Sequence, residues 1–120
     1  MCRSSLLLSL ALLWSPAVGV EYDANACVIL SLGRVLPDDG RSFCQNMPLP
    51  TLYDMAFQVG HNLASFDSAV VDLLEPSPQA LNCAAAKIKN LKLGRHYCWG
   101  VPFEEQVQAA TYFGAINPAP

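Results

Sequence analysis

The chain has 120 residues, of which 52% are hydrophobic and only 14% are charged, with a formal net charge of −3. Because a soluble domain is usually about 25% charged, this chain is unusually apolar. The length favours one domain. Four basic residues lie between Lys87 and Arg95, too few to indicate a nucleic-acid partner.

The apolar excess is greatest at the N-terminus. Arg3 precedes an apolar run at residues 6–14, far shorter than the roughly 20 residues of a membrane span. Ser15-Pro16 ends this run, and Ala17 and Gly19 are small residues at the positions that signal peptidase reads. The pattern predicts a secretory signal peptide at residues 1–19, rather than an anchor helix, and a single secreted, extracellular domain at residues 20–120.

Five cysteines are present, and Cys2 belongs to the predicted signal peptide. An even set of four in a secreted domain of this size predicts two disulfides. Three connectivities are possible, and the spacing does not choose among them. The chain has no CxxC motif and only two histidines, so neither a metal nor a cofactor is expected. The four remaining cysteines are Cys27, Cys44, Cys83 and Cys98.

Helical periodicity dominates the first half of the predicted domain. Asn25 is the expected cap of a first helix, residues 37–40 read as a turn, and residues 42–47 as one or two helical turns. Thr51 and Asp54 resemble a capping box at the start of the next helix, and Gly60 is expected to end or loosen it. The first helix is predicted from an apolar stripe of Val28, Ile29, Leu32, Val35 and Leu36.

The second half shows three further helical patterns. One is expected to start at Ser65 or Asp67, with Phe66, Val70, Leu73 and Leu74 on one face. Ser77-Pro78 predicts the start of the next, with Gly94 as its C-terminal cap and Leu81, Ala84, Ala85, Ile88 and Leu91 on its buried face. The last is expected at residues 103–113, followed by Gly114 and Asn117. The fold class is therefore all-α, a bundle of about five short helices that needs its disulfides.

No catalytic constellation stands out. His61 and Ser65 are four residues apart on a predicted helix, but a catalytic triad needs more than adjacency. A catalytic pair of His96 with Asp72 or Glu75 is no better supported by the sequence. The chain has no GxSxG motif and no glycine-rich phosphate loop. We therefore predict that the protein is not an enzyme.

The segment around the last two cysteines resembles a known family. The sequence CAAAKIKNLKLGRHYCWGVP places 14 residues between Cys83 and Cys98 and contains Ala86-Lys87-Ile88 and Val101-Pro102. It resembles elicitins and elicitin-like proteins, which oomycetes secrete. Upstream, LPDDGRSFC at residues 36–44 resembles their approach to the second cysteine, and residues 112–115 stand where they have a Tyr-Ala pair.

Elicitins have six cysteines, paired first to fifth, second to fourth and third to sixth. The four cysteines of this chain correspond to the first, second, fourth and fifth, while the third and sixth are both missing. The chain therefore resembles a divergent, four-cysteine variant. The resemblance implies the pairs Cys27–Cys98 and Cys44–Cys83.

The resemblance also implies a function, namely binding of a sterol or fatty acid in a cavity among the helices, without catalysis. Such a carrier touches membranes transiently to exchange lipid, and a host or cell-surface receptor is a possible partner. Tyr53 or Tyr112 would meet the ligand's hydroxyl. The other residues expected to line the cavity, all equally suited to a filled core, are Leu32, Leu36, Met55, Val59, Phe66, Val70, Leu73, Ile88, Val107 and Phe113.

Two other interpretations remain open. Insect odorant-binding proteins with four cysteines are also small helical carriers, although their first cysteine interval is usually longer than the 16 residues found here. An effector or cytokine-like protein would instead have a solid core and act through a surface patch around Trp99.

Overall fold

A computed structural model describes residues 22–89 and 96–117. Within these ranges the chain forms helices and no strands, which confirms a small disulfide-stapled helical bundle. Residues 96–98 form one further helical turn. The predicted signal peptide lies outside the described residues. The six helices are α1 (Ala24–Leu32), α2 (Asp38–Gln45), α3 (Leu49–Phe66), α4 (Val70–Leu74), α5 (Pro78–Lys89) and α6 (Phe103–Ile116).

Helices α1 and α2 begin earlier than the sequence pattern suggests. The Asp23 carboxylate caps α1 by accepting a 2.8 Å hydrogen bond from the Ala26 backbone N–H, and Asn25 lies inside the helix. The prediction of a turn at residues 37–40 is wrong, because α2 starts immediately after Pro37. Asp38 and Asp39 occupy its first turn, where acidic side chains favourably meet the helix dipole.

Helix α3 runs without interruption through Gly60, where an end was expected. A β-carbon at Gly60 would overlap the backbone carbonyl oxygen of Thr111 on α6, and one at Gly114 would overlap the backbone of Phe57. The two glycines therefore permit close packing of α3 against α6. The predicted capping box is also wrong, because Thr51 lies inside a helix that begins at Leu49.

The segment after α3 differs most from prediction. Phe66 is the last residue of α3 and is 90% exposed, while Leu73 on α4 is 81% exposed. Only Leu74 of the expected apolar face is buried. Because α3 continues to Phe66 and α4 has five residues, the two segments do not form one amphipathic helix.

Helices α5 and α6 agree well with the sequence signals. Ser77 Oγ accepts a 3.2 Å hydrogen bond from the Ala80 backbone N–H, which confirms the predicted start of α5. Helix α6 carries Glu104 and Glu105 in its first turn, as expected, but it continues through Gly114, where an end was predicted, to Ile116. Leu91 and Gly94, predicted to belong to the end of α5, lie outside the described residues.

Two clusters form the core. The main cluster joins α1, α3 and α6 and contains the larger buried side chains, whereas the second cluster joins α5 to α6 through mostly small ones. The second cluster consists of Ala80, Cys83, Ala84, Val101 and Ala109. The main cluster consists of Cys27, Val28, Leu36, Cys44, Leu52, Tyr53, Ala56, Val59, Val107 and Ala110.

The disulfides join cysteines that are neighbours in sequence, so the pairing Cys27–Cys98 and Cys44–Cys83 is wrong. Cys27 bonds to Cys44, 17 residues away, and Cys83 bonds to Cys98, 15 residues away. The chain reversal between α1 and α2 brings the first pair together, and the return from α5 towards α6 brings together the second. Short loops of this kind close at a smaller entropy cost than the long loop between Cys27 and Cys98.

Two disulfides indicate an oxidising compartment. In the parts of the chain that the structure describes, no helix has both the length and the apolar character needed to cross a bilayer.

Candidate functional site

The residues predicted to line an internal cavity lie in several different environments. Leu36 and Val59 are buried in the main core cluster, and Leu32 and Met55 pack against it. These four side chains fill the core and border none of the hollows described below. In the described part of the chain, these four residues therefore contribute to the packed core.

Other predicted lining residues lie at the surface. Phe66 and Leu73 are almost fully exposed, while Val70 and Tyr112 are half-buried. Four predicted residues border open space. They are Tyr53, Ile88, Val107 and Phe113.

An apolar groove runs between α3 and α5. Both helices pack on α6 but make few contacts with each other, so a channel remains along the surface. It consists of two adjoining hollows of about 310 Å³ and 280 Å³ that share Phe57 and Ile88. We call this the lateral groove, and its lining residues are Leu49, Pro50, Tyr53, Asp54, Phe57, Ala85, Lys87, Ile88, Lys89, Phe113 and Asn117.

A third hollow, of about 210 Å³, adjoins the lateral groove. It shares Leu49, Tyr53 and Lys87 with the groove and extends toward the start of α6. We call it the lysine pocket. Its lining residues are Gln45, Met47, Leu49, Leu52, Tyr53, Lys87, Val101, Phe103, Gln106 and Val107.

Lys87 connects the two spaces. Its ammonium group donates a 2.5 Å hydrogen bond to Gln106 Oε1, and Gln106 Nε2 donates a 2.9 Å hydrogen bond to the Val101 carbonyl oxygen. The second bond fixes the amide so that its oxygen faces the lysine. Burial lowers the pKa of Lys87 below its ordinary value. Among the described residues, no carboxylate forms an ion pair with Lys87.

Tyr53 contributes the other unusual polar group. Its side chain is buried, and its hydroxyl has no hydrogen-bond partner among the described residues. Burial raises the pKa of Tyr53 to about 12, so the phenol stays neutral and can still donate a hydrogen bond. A buried hydroxyl without a partner is costly in free energy, and Tyr53 lines both the lateral groove and the lysine pocket.

The sequence pattern did not identify the most informative members of this site. No binding role was predicted for Lys87, Leu49, Phe57 or Gln106. One signal was available, because Leu49, Tyr53 and Phe57 recur every four residues along α3. This spacing predicts a second apolar stripe on that helix.

The predicted histidine pairs do not form a described catalytic arrangement. His61 is half-buried on α3 and Ser65 is exposed near its end. His96 is exposed in the helical turn at residues 96–98. Over the described ranges, no three His, Cys, Asp or Glu side chains are gathered as a metal ion would require.

Comparison of the whole chain with protein-family models, with curated proteins and with solved structures finds no match.

Proposed function

We propose that this protein is a secreted, non-catalytic carrier of a single-chain lipid whose acyl chain lies in the lateral groove. The observation that carries the proposal is an apolar groove that ends at a half-buried lysine. Such a surface suits a long apolar molecule with one polar end.

The dimensions of the groove favour an acyl chain over a sterol. Each hollow by itself is at or below the lower end of the range for small-molecule sites, about 300–1,000 Å³, whereas the two together fall within it. They adjoin through Phe57 and Ile88 and follow a space between two helices. A flexible chain can follow such a space, while a rigid four-ring sterol needs a wider cavity.

The apolar surface is sufficient for useful affinity. Burying about eight methylene groups at roughly 0.8 kcal/mol each contributes about 6 kcal/mol. This free energy corresponds to a Kd on the order of 10⁻⁵ M before the polar end contributes. Because the groove is open along the protein surface, a lipid can enter from a membrane during transient contact.

Secretion is supported by the signal-peptide pattern at residues 1–19 and by the two disulfides. The elicitin resemblance is a weaker guide. Disulfides between sequence neighbours differ from the family's pairing and weigh against elicitin kinship. The carrier proposal therefore depends on the groove rather than on the family.

The proposal is tested by titrating the mature protein, residues 20–120, with a fluorescent fatty acid and with a fluorescent sterol. Ile88 in the groove is 45% exposed, and Ile29 on α1 is 47% exposed. Ile88→Asn and Ile29→Asn therefore form a matched pair. We expect Ile88→Asn to weaken fatty-acid binding about tenfold or more, because a polar amide replaces apolar contact, and Ile29→Asn to leave binding unchanged.

Circular dichroism should show that both variants retain their helices. Failure of the unmodified protein to bind either probe would refute the carrier proposal, as would equal weakening in the two variants. Tight sterol binding that is indifferent to Ile88→Asn would place the ligand elsewhere and also contradict the groove assignment.

A second candidate function is recognition of a cell-surface receptor through Trp99, whose side chain is 82% exposed. Its carbonyl oxygen accepts a 3.2 Å hydrogen bond from Gln79 Nε2, which ties the segment to α5. Exposed tryptophans are frequent interaction hot spots. Loss of cell binding in Trp99→Ala, but not in the matched exposed-aromatic variant Phe66→Ala, would support this function. Equal binding by both variants would exclude it.

A further inference from the structure

We propose that Lys87 and Gln106 form a binding site for an anionic head group of the lipid whose chain fills the lateral groove. This inference rests on the proposed carrier function and adds the chemistry of the ligand's polar end. The ligand would be a single-chain lipid with a carboxylate or a phosphate monoester.

Lys87 is the positively charged residue of this site. The ammonium group has three donor hydrogens, and the Gln106 amide oxygen accepts one of them. The other two have no carboxylate partner among the described residues. A half-buried cation without a counter-charge is unfavourable, so an anion placed beside it gains a charge-assisted hydrogen bond.

The position of the ammonium group is also fixed. Gln106 is held by its bond to the Val101 carbonyl, so its oxygen is already oriented when Lys87 binds it. The lysine therefore loses little additional freedom when an anion binds. Pre-organisation of this kind distinguishes Lys87 from Lys89, which is exposed two residues further along α5.

Head group and chain would occupy connected spaces. Leu49, Tyr53 and Lys87 border both the lysine pocket and the nearer hollow of the lateral groove. An anion at Lys87 can thus continue directly into an acyl chain that passes Phe57 and Ile88. The unpartnered Tyr53 hydroxyl lies on a residue at the same junction.

One nearby group opposes an anion. Asp54 is exposed and lines the nearer hollow together with Lys87. Its carboxylate would repel the head group across solvent, where screening weakens the effect. We therefore expect Asp54→Asn to favour an anionic lipid slightly over a neutral lipid of the same chain length.

The test compares lipids of equal chain length that differ only at the polar end. A neutral fluorescent apolar dye occupies the groove of the mature protein and is displaced by a fatty acid, an alkyl phosphate or the corresponding fatty alcohol. We expect the acid to displace the dye at about tenfold lower concentration than the alcohol, the increment typical of a charge-assisted hydrogen bond. Comparing the fatty acid with the alkyl phosphate shows whether the site prefers a carboxylate or a phosphate.

Three variants locate the effect. Lys87→Met keeps the length of the side chain and removes the charge, so the preference for acid over alcohol should disappear while alcohol binding is retained. Lys87→Arg should keep the preference. Lys89→Met tests the opposite end of the groove, because Lys89 borders the far hollow.

The outcomes separate the two proposals. Displacement by neither lipid refutes the carrier function itself. Equal displacement by acid and alcohol in the unmodified protein refutes only the head-group site. A preference lost in Lys89→Met and kept in Lys87→Met would place the head group at the opposite end of the groove and overturn the assignment to Lys87.

Discussion

Helices α3 and α5 both pack on α6, but the residues that make the contact differ. On one side, Gly60 and Gly114 let α3 pack against the α6 backbone, and large side chains fill the adjoining core. On the other side, Ala80, Ala84 and Ala109 join α5 to α6 through small side chains. Close packing on the first side and sparse contact between α3 and α5 leave the lateral groove open. The same central helix thus supports both a solid core and a candidate binding surface.

The strongest test of the packed side is Gly60→Ala. Its new β-carbon would meet the backbone of α6, which cannot rotate away as a side chain can. We expect the free energy of unfolding to fall by about 3 kcal/mol or more, at the upper end of overpacking effects. Urea denaturation measures this change.

Gly33→Ala is the control, because its β-carbon would lie at an ordinary 3.6 Å from the nearest atoms. It should change stability by less than about 1 kcal/mol. Equal effects of the two substitutions would show that α3 and α6 are not in close backbone contact.

The next largest effect concerns the disulfides. The chain-entropy model assigns about 3 kcal/mol to loops of these lengths, and the loops span 17 and 15 residues. Replacing Cys27 and Cys44 together with alanine should cost more than this, because both are fully buried in the main cluster. Replacing Cys83 and Cys98 should cost less than replacing the first pair, because only Cys83 of this pair is fully buried. Thermal unfolding of both double variants compares the two sides of the molecule.

The pairing itself requires two proteases. Trypsin alone leaves Cys44 and Cys83 in one peptide, because residues 42–86 contain no lysine or arginine. A second cleavage with chymotrypsin, after Phe66, separates them. Non-reducing mass spectrometry should then find Cys27 joined to Cys44. A peptide that joins Cys27 to Cys98 would contradict the fold described here.

The smallest expected effect is a pH dependence of stability, caused by an ion pair between α2 and α6. Arg41 donates a 2.5 Å hydrogen bond to Glu104, and this contact holds the pKa of the Glu104 carboxyl below its ordinary value. The stabilisation is therefore present above the unfolded-state pKa and disappears as the pH falls through the lowered folded-state value. Between neutral pH and about pH 3, Glu104→Gln should show a smaller drop in Tm than the unmodified protein.

Glu105→Gln serves as the control, because Glu105 is in the same helical turn and makes no ion pair among the described residues. It should follow the pH dependence of the unmodified protein. If Glu104→Gln and Glu105→Gln behave identically, the ion pair with Arg41 does not contribute to stability.

Local signals predicted the fold more successfully than the site. Ser77-Pro78 starts α5 as expected, because its hydrogen bond to Ala80 joins residues three apart in the sequence. Gly60 misled the prediction, because its role depends on Thr111, which is distant in sequence. Ile88 and Phe113 were predicted to line an internal cavity, and both border the lateral groove. Lys87 was not predicted as a site residue, because its position beside Gln106 and Tyr53 depends on the tertiary structure.

The sequence by itself determined that this protein is a small helical bundle with two disulfides, because helical periodicity, caps and an even cysteine count are local or additive properties. Only the tertiary structure decided which cysteines pair, which apolar residues are exposed in the lateral groove, and that Lys87 borders this groove. These features depend on how the helices pack on one another, which local sequence patterns do not specify. The surplus of apolar residues therefore fills the core around α1, α3 and α6 and also lines an open groove between α3 and α5.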